Sequence, residues 1–249
     1  MALLEVDNLS KHFGGLKANH NISFTLEQGE LLGLIGPNGA GKTTLFNCIS
    51  GKYPLTSGRV VLQQEDITGL KAHQIARRGL ARTFQVYVAA GDLSVEENVM
   101  VGCFMRTGSR SQARACARQA LRDLNLEDIS DQQVSELPVA AQKRVTMATA
   151  LGTRPKLLLL DEVAAGLNPS EIEEITANIR HIHQRLGISV VLIEHVMQLV
   201  MKISDRVIVL DYGQKIAEGK PRQIVEDPQV IKAYLGERYV REKADGESA

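Results

Sequence analysis

Net charge is the first thing this chain lacks. Lysine plus arginine and aspartate plus glutamate stand at 29 each in 249 residues, so no global field draws the protein toward nucleic acid or an anionic membrane surface. A local basic patch remains compatible with that balance. Cysteine is scarce too. Cys48, Cys103 and Cys116 are odd in number and form no C-x-x-C pair, which argues against a disulfide scaffold or a structural zinc site and suits a reducing compartment. All three read as buried or inert thiols. No apolar run approaches the roughly 18 residues that a membrane-spanning helix needs, and Met1 to Asp7 holds neither a basic region nor a long apolar stretch. Any membrane association is therefore expected to come through a partner. Internal repeats, low-complexity tracts and coiled-coil heptads are missing as well. What is present is 44% hydrophobic and 23% charged, enough to bury a sizeable core as one large domain or a domain with a subdomain.

The most informative stretch is Gly36-Pro37-Asn38-Gly39-Ala40-Gly41-Lys42-Thr43-Thr44, which fits G-x-x-x-x-G-K-[ST]. Small residues at this spacing let successive backbone N–H groups turn inward on β- and γ-phosphate oxygens, at the positive end of the helix that follows. Lys42 supplies a compact charge, and Thr43 would place a hydroxyl on Mg²⁺, whose remaining ligands are phosphate oxygens and water. The context agrees. Leu31 to Ile35 is a short apolar run suited to a buried parallel strand, and Thr44 to Ile49 continues as a helix with Leu45 and Ile49 four apart. A second motif ends in acid. Leu157-Leu158-Leu159-Leu160-Asp161-Glu162 reads as a buried strand delivering two carboxylates to the carboxyl edge of a sheet, Asp161 toward Mg²⁺ through water and Glu162 toward an attacking water. In a chain without the phosphate loop, the same acids would serve equally well to cap the next turn.

Around these motifs the pattern alternates. Strand signals at Leu3 to Val6 and Ile22 to Leu26 predict a β-rich N-terminal region, and Arg59 to Leu62 a further strand. Ala72 to Arg78 reads as helix and Arg82 to Gln85 as a short extended piece. Ser94-Val95-Glu96-Glu97 has the form of a capping box and opens a region rich in Ala, Arg, Leu and Gln. Residues 94–150 are expected to form a helical subdomain inserted into an α/β core made of 1–93 and 151–240. Within that core, a helix at Ser170 to Arg185 and strands at Ser189 to Ile193 and Arg206 to Leu210 imply a parallel sheet. The polar tail 241–249 is expected to be disordered. His181 and His183 lie on a polar helix and read as surface residues.

The order GPNGAGKTT, then Gln85, then LLLLDE, then Ala165-Gly166-Leu167-Asn168-Pro169, then His195, resembles the nucleotide-binding subunit of an ABC transporter over almost the whole chain. HFGGLKA, FNCISG, IARRGLARTFQ, VVLIEHVMQLVMKISDRVIVLDYGQKIAEG and DPQVIKAYLGE narrow it to the LivG-type ATPase of branched-chain amino acid importers. The resemblance implies a P-loop NTPase core with parallel sheet, an N-terminal antiparallel β region and an inserted helical subdomain. It implies ATP and Mg²⁺ as ligands, with nucleotide held by Phe13, Gly36, Asn38, Gly39, Ala40, Gly41, Lys42, Thr43 and Thr44. Phe13 matches the aromatic that stacks on adenine, although taken alone it reads more readily as core. Gln85 matches the residue that binds Mg²⁺ or the water and reports γ-phosphate to the membrane subunit. Asn168 falls in the loop that crosses a dimer interface. His195 matches the histidine that bonds γ-phosphate and orients the water, beside Glu162 as base.

Three departures from the family pattern stand out. Where a Ser-Gly-Gly-Gln turn normally clasps the γ-phosphate held by the opposite subunit, this chain has Leu137-Pro138-Val139-Ala140-Ala141-Gln142-Lys143-Arg144. Pro138 brings neither hydroxyl nor N–H, while the Val139 and Ala140 amides and the helix dipole remain, so weakened clasping and an asymmetric dimer are expected. Val163 replaces the usual proline after Glu162. Val86-Tyr87-Val88-Ala89-Ala90 replaces a segment that borders the membrane-subunit docking surface, where core packing is an equal reading.

The function implied is ATP hydrolysis powering uptake of branched-chain amino acids or a related small polar solute. The partners implied are two integral membrane permease subunits, a second and LivF-like cassette forming a heterodimer, and indirectly an extracytoplasmic solute-binding protein. No nucleic acid is expected, and the place implied is peripheral, on the cytoplasmic face of the inner membrane. Two alternatives remain: a soluble ATPase clamp on protein or nucleic acid, and a regulatory cassette that binds ATP but scarcely hydrolyses it.

Overall fold

Hydrophobic alternation in the first residues builds a long hairpin. The computed structural model describes residues 1–83 and 90–234, so Gln85, Val86 to Ala89 and the tail 241–249 lie outside the described residues. The chain divides into two compact units, Met1–Leu70 with Leu192–Ala249, and Lys71–Val191. In the first unit β1 (Ala2–Phe13) pairs antiparallel with β2 (Leu16–Glu27), placing Leu4 opposite Leu26, Val6 near Phe24 and Leu9 near Ile22, all six buried. Both strands run far beyond the segments legible from alternation. Asn8 and Asn21 take positive φ of 47° and 50°, and the register shifts between Val6 and Leu9 and again toward Lys11. Asparagine tolerates that left-handed backbone, and such bulges break the period of two on which strand reading depends.

The chain continues through β3 (Leu31–Ile35), buried at every position, and α1 (Lys42–Ile49). Then β4 (Ser57–Leu62) pairs antiparallel with β1, and β5 (Glu65–Asp66) with β4, giving an antiparallel sheet of order β2-β1-β4-β5. Cys48 in α1 is buried and its thiol is pushed up to about 11 by desolvation, so it is inert at neutral pH.

The second unit opens with α2 (Ala72–Arg77) and β6 (Leu80–Arg82). Three helices follow: α3 (Val95–Cys103), α4 (Arg110–Asp123) and α5 (Val139–Gly152). The capping box read at Ser94 forms, with Glu97 N–H donating to Ser94 Oγ at 3.2 Å and Ser94 N–H to Glu97 Oε2 at 3.1 Å. Helices α3 and α5 meet closely because Gly102 has no side chain; a Cβ there would stand 2.0 Å from the Thr149 carbonyl oxygen. Burial also raises the Cys103 thiol. Next come β7 (Leu157–Asp161), which runs parallel to β6, α6 (Pro169–Gln184) and β8 (Ser189–Ile193), whose last two residues belong to the first unit. His181 and His183 on α6 are half-buried rather than exposed, and His183 Nδ1 lies 3.3 Å from the Ile188 carbonyl oxygen. The helix turns that face toward the returning chain, which its polar sequence conceals.

Back in the first unit are α7 (Met197–Ile203), β9 (Arg206–Asp211), β10 (Gln214–Gly219) and α8 (Pro221–Glu226). Strand β9 lies parallel to β3 and antiparallel to β10. Ile35, Val200, Val207, Val209, Ile224 and Val230 form a buried cluster among these elements. Arg206 fastens the edge. Its guanidinium grips both Glu30 carboxylate oxygens at 2.8 and 3.1 Å, the Thr25 carbonyl and Glu218. Elements α7, β10 and α8 carry no sequence expectation: the helices are too short for a period to show, and β10 is largely exposed.

Candidate functional site

Residues 36–41 leave the buried strand β3 and open α1, and their backbone is bent into a shape that only small residues permit. Gly36 has φ 150° and Gly41 φ 99°. A Cβ on Gly36 would lie 2.1 Å from the Leu210 carbonyl oxygen, and one on Gly41 would lie 2.3 Å from that of Ala18. No substitution there avoids a backbone collision. The loop carbonyls have donors of their own. Lys42 Nζ donates to the carbonyls of Gly36 at 2.7 Å and Pro37 at 3.0 Å. Gly213 N–H donates to Ala40 O at 3.1 Å, while Leu45 N–H at 2.9 Å and Asn19 Nδ2 at 3.1 Å both reach Gly41 O. With these negative ends turned away and occupied, the face left to a ligand is amide-rich.

Helix α1 adds to that polarity. Its first turn contains no acidic residue and its N-cap is Gly41, so no side chain competes for the first-turn N–H groups. Lys42 is buried, Thr43 and Thr44 are half-buried, and Asn38 and Gly39 are exposed. An anion would meet backbone donors first and the lysine as it swings from its carbonyls.

The same unit presents two further residues read from sequence. Phe13 ends β1 with 44% of its surface exposed, edge-on to Tyr53 at 5.6 Å between ring centres, and Lys11 Nζ sits 4.8 Å above it. The core reading of Phe13 therefore falls, and an accessible aromatic face remains. His195 follows β8 and is exposed; its N–H donates to the buried Glu194 carboxylate at 3.3 Å.

The second unit carries the acids. Asp161 closes β7 with its side chain fully buried, and Arg82 Nη2, itself only 5% exposed, lies 2.7 Å from Asp161 Oδ2. Thr83 ties the two strand ends together, donating its N–H to Leu159 O at 2.9 Å and accepting the Asp161 N–H on Oγ1 at 3.2 Å. Glu162 has φ 52°, a left-handed backbone that costs a non-glycine residue about 1–3 kcal/mol and persists only where surroundings impose it. Val163 and Ala164 are buried, and Lys143 Nζ reaches the carbonyls of Glu162 at 3.3 Å and Ala165 at 2.5 Å. Asn168 caps α6 in a capping box with Glu171, its Oδ1 accepting the Glu171 N–H at 3.0 Å. At the start of α5, Pro138 is the N-cap without a side-chain bond. Val139 is 56% exposed, whereas Ala140 is buried, so Val139 is the residue whose side chain occupies the approach to that helix end.

A glycine loop neutralised at its carbonyls and opening a helix, in a chain that also ends a buried strand in two acids, defines a P-loop ATPase. Comparison with known proteins makes the assignment narrower. The ABC transporter family model matches residues 19–165, and the model of the branched-chain amino acid ATP-binding cassette transporter matches residues 214–240. The chain is 42% identical to the high-affinity branched-chain amino acid transport ATP-binding protein LivG of Escherichia coli, covering 94% of this chain and 98% of that one. It is 40% identical to BraF of Pseudomonas aeruginosa over the same shares. Among solved structures, a nucleotide-free ATP-binding cassette from an ABC transporter superposes with TM-score 0.87 at 30% identity, covering 95% of this chain and 100% of that one. The ADP conformation of MJ1267, an ATP-binding cassette of an ABC transporter, gives 0.86 at 31% identity with the same coverage. The chain belongs to the ABC transporter ATP-binding proteins, in the branched-chain amino acid (LivG/BraF) family. Its fold is the ABC ATPase fold: an antiparallel N-terminal sheet, a mostly parallel sheet and a helical subdomain.

Arg82, Asn19 and Lys143 are the residues that sequence reading passes over, because each acts through a tertiary contact and none sits in a recognisable spacing. The buried pair gives a direct test. Arg82→Ala leaves the Asp161 carboxylate without its guanidinium and should cost about 3–5 kcal/mol, read as a lower urea midpoint. An unchanged midpoint would show that the pair carries no net stability.

Proposed function

We propose that this chain is the ATP-hydrolysing subunit of an importer for branched-chain amino acids or a closely related small polar solute. The ATPase part rests on the phosphate loop, where the carbonyls of Gly36, Pro37, Ala40 and Gly41 are occupied by donors and the acid-free start of α1 remains for an anion. The cargo class rests on the LivG and BraF likeness and on the match at residues 214–240. In this reading residues 1–240 are one cassette, with α3 to α5 as its helical insertion.

Each residue then has a role on MgATP. Phe13 stacks on adenine. Backbone amides of the loop and of the start of α1, Pro37 excepted for want of an N–H, hold the β- and γ-phosphates with Lys42, which exchanges two carbonyl oxygens for phosphate oxygens. By family likeness Thr43 and Asp161 are the Mg²⁺ ligands, and each offers the hard oxygen that Mg²⁺ takes. Bound there, Mg²⁺ would neutralise charge developing on the phosphates. Gln85, outside the described residues, joins that shell by family likeness. Glu162 takes a proton from the attacking water, and His195 orients that water against the γ-phosphate. Two cassettes close head to tail, each site completed by the other chain's α5 terminus, and closure does work through its different affinity for ATP and ADP. Two permease subunits, a LivF-like second cassette and, indirectly, an external solute-binding protein complete the assembly. No described helix is long and apolar enough to cross a membrane; in this reading the partners hold the chain peripherally on the cytoplasmic face.

Three measurements test the reading. Glu162→Gln should keep ATP affinity and lower turnover by roughly a hundredfold or more; substantial residual hydrolysis would mean another base. Affinity purification from gently solubilised membranes should recover two membrane subunits and a second, different cassette, whereas nucleic acid or soluble proteins alone would favour a clamp. Replacing Pro138 with Ser and Ala140 with Gly should raise the ATPase rate of the assembled complex, since Ser returns a hydroxyl to the N-cap, which makes no side-chain bond here, and Gly removes a methyl from the helix end. No change would remove the asymmetric-dimer idea.

A further inference from the structure

The turn after β7 holds its carboxylate by a backbone arrangement that does not stand by itself. Glu162 is left-handed, and the turn closes weakly, with Ala165 N–H reaching Glu162 O at 3.3 Å. Val163 and Ala164 anchor the middle of the turn in the interior. Its two outer carbonyls, Glu162 O and Ala165 O, converge on one ammonium, Lys143 Nζ in the second turn of α5. The next residue, Arg144, is ion-paired with Glu174 of α6. Helix α5 therefore bears on both the acid turn and the helix that follows it.

We propose that Lys143 is a positioning residue for hydrolysis, clamping Glu162 in its left-handed backbone so that the carboxylate keeps its aim. The inference rests on the reading of Glu162 as the base. The physical reason is directional. A left-handed residue turns its carbonyl away from the strand course, here toward α5, where a cation meets it. Without the cation both outer carbonyls lose a donor and the turn loses its tie to α5, which frees Glu162 to relax toward ordinary backbone and swing its side chain. Lys143 also lies only five residues after Pro138. A shift of the α5 terminus, the part that meets the opposite site's nucleotide, is thus carried by one side chain to this chain's own base.

The test uses the transporter assembled with its membrane and cassette partners. Steady-state ATPase, binding of the fluorescent analogue TNP-ATP and thermal unfolding are compared for Lys143→Met, Lys143→Arg and Glu162→Gln. Lys143→Met should lower kcat by roughly tenfold to a hundredfold, the loss expected from misplacing a catalytic group by about an ångström, with KM and TNP-ATP affinity changed by less than about twofold. Lys143→Arg should recover most of the rate, because it keeps the cation and several donors. Should Lys143→Met fail to fold, Lys143→Gln, which keeps two N–H donors without charge, is read by the same split. Wild-type kcat in Lys143→Met alongside an inactive Glu162→Gln overturns the inference and leaves the ATPase reading standing. Loss of binding in parallel with rate, or no recovery with arginine, reduces Lys143 to packing and also overturns it. Full turnover in Glu162→Gln removes both.

Discussion

A loop can bind an anion through its backbone only if its carbonyl dipoles are turned away and satisfied by other donors. That requirement organises the first unit. Strand β2 contributes Asn19, the turn between β9 and β10 contributes Gly213, and α1 contributes Leu45 and its own lysine, each as a donor to a loop carbonyl. The closeness that makes these bonds possible is also what forbids a Cβ on Gly36 or Gly41. Two glycines of the motif are therefore explained by what stands behind the loop, before any ligand is considered.

The acid turn of the second unit solves a different problem. It has to present carboxylates at the end of a strand whose residues are all buried. Desolvation is opposed at Asp161 by Arg82, a buried cation at salt-bridge distance, and at Glu162 by backbone geometry that turns the residue out of the strand. The Asp161 partner comes from β6, and Lys143 of α5 reaches the Glu162 carbonyl, so both acids have tertiary contacts from neighbouring elements.

This difference explains what the sequence made legible. The phosphate loop, β3, β7 and β8 were readable because their chemistry or burial repeats at short spacing: five consecutive buried residues at Ser189–Ile193 leave little room for another reading. The helical character of 94–150 followed from composition and a capping box that forms as read. The length of β1 and β2 was hidden by asparagine bulges, and α7, β10 and α8 by shortness and exposure. Phe13 is ambiguous by residue type, and its exposure beside Tyr53 counts against the core reading. Asn168 was read for an interface, while its side chain caps α6, a local role that the spacing to Glu171 already encoded. Partners separated by tens of residues, Arg82 with Asp161 and Lys143 with Ala165, leave no periodic trace.

The turn at Tyr212 and Gly213 joins the phosphate loop to the C-terminal hairpin. Gly213 accepts from His20 N–H at 2.8 Å and donates to Ala40, and the segment matched by the branched-chain amino acid model begins at the very next residue. The nucleotide loop is thus braced by the residue that immediately precedes the segment matched by that model. A hybrid cassette spliced between β9 and β10 would inherit its phosphate grip from one parent and half of the brace from the other. The natural seam for exchanging C-terminal regions lies beyond Gly219, after the hairpin is complete.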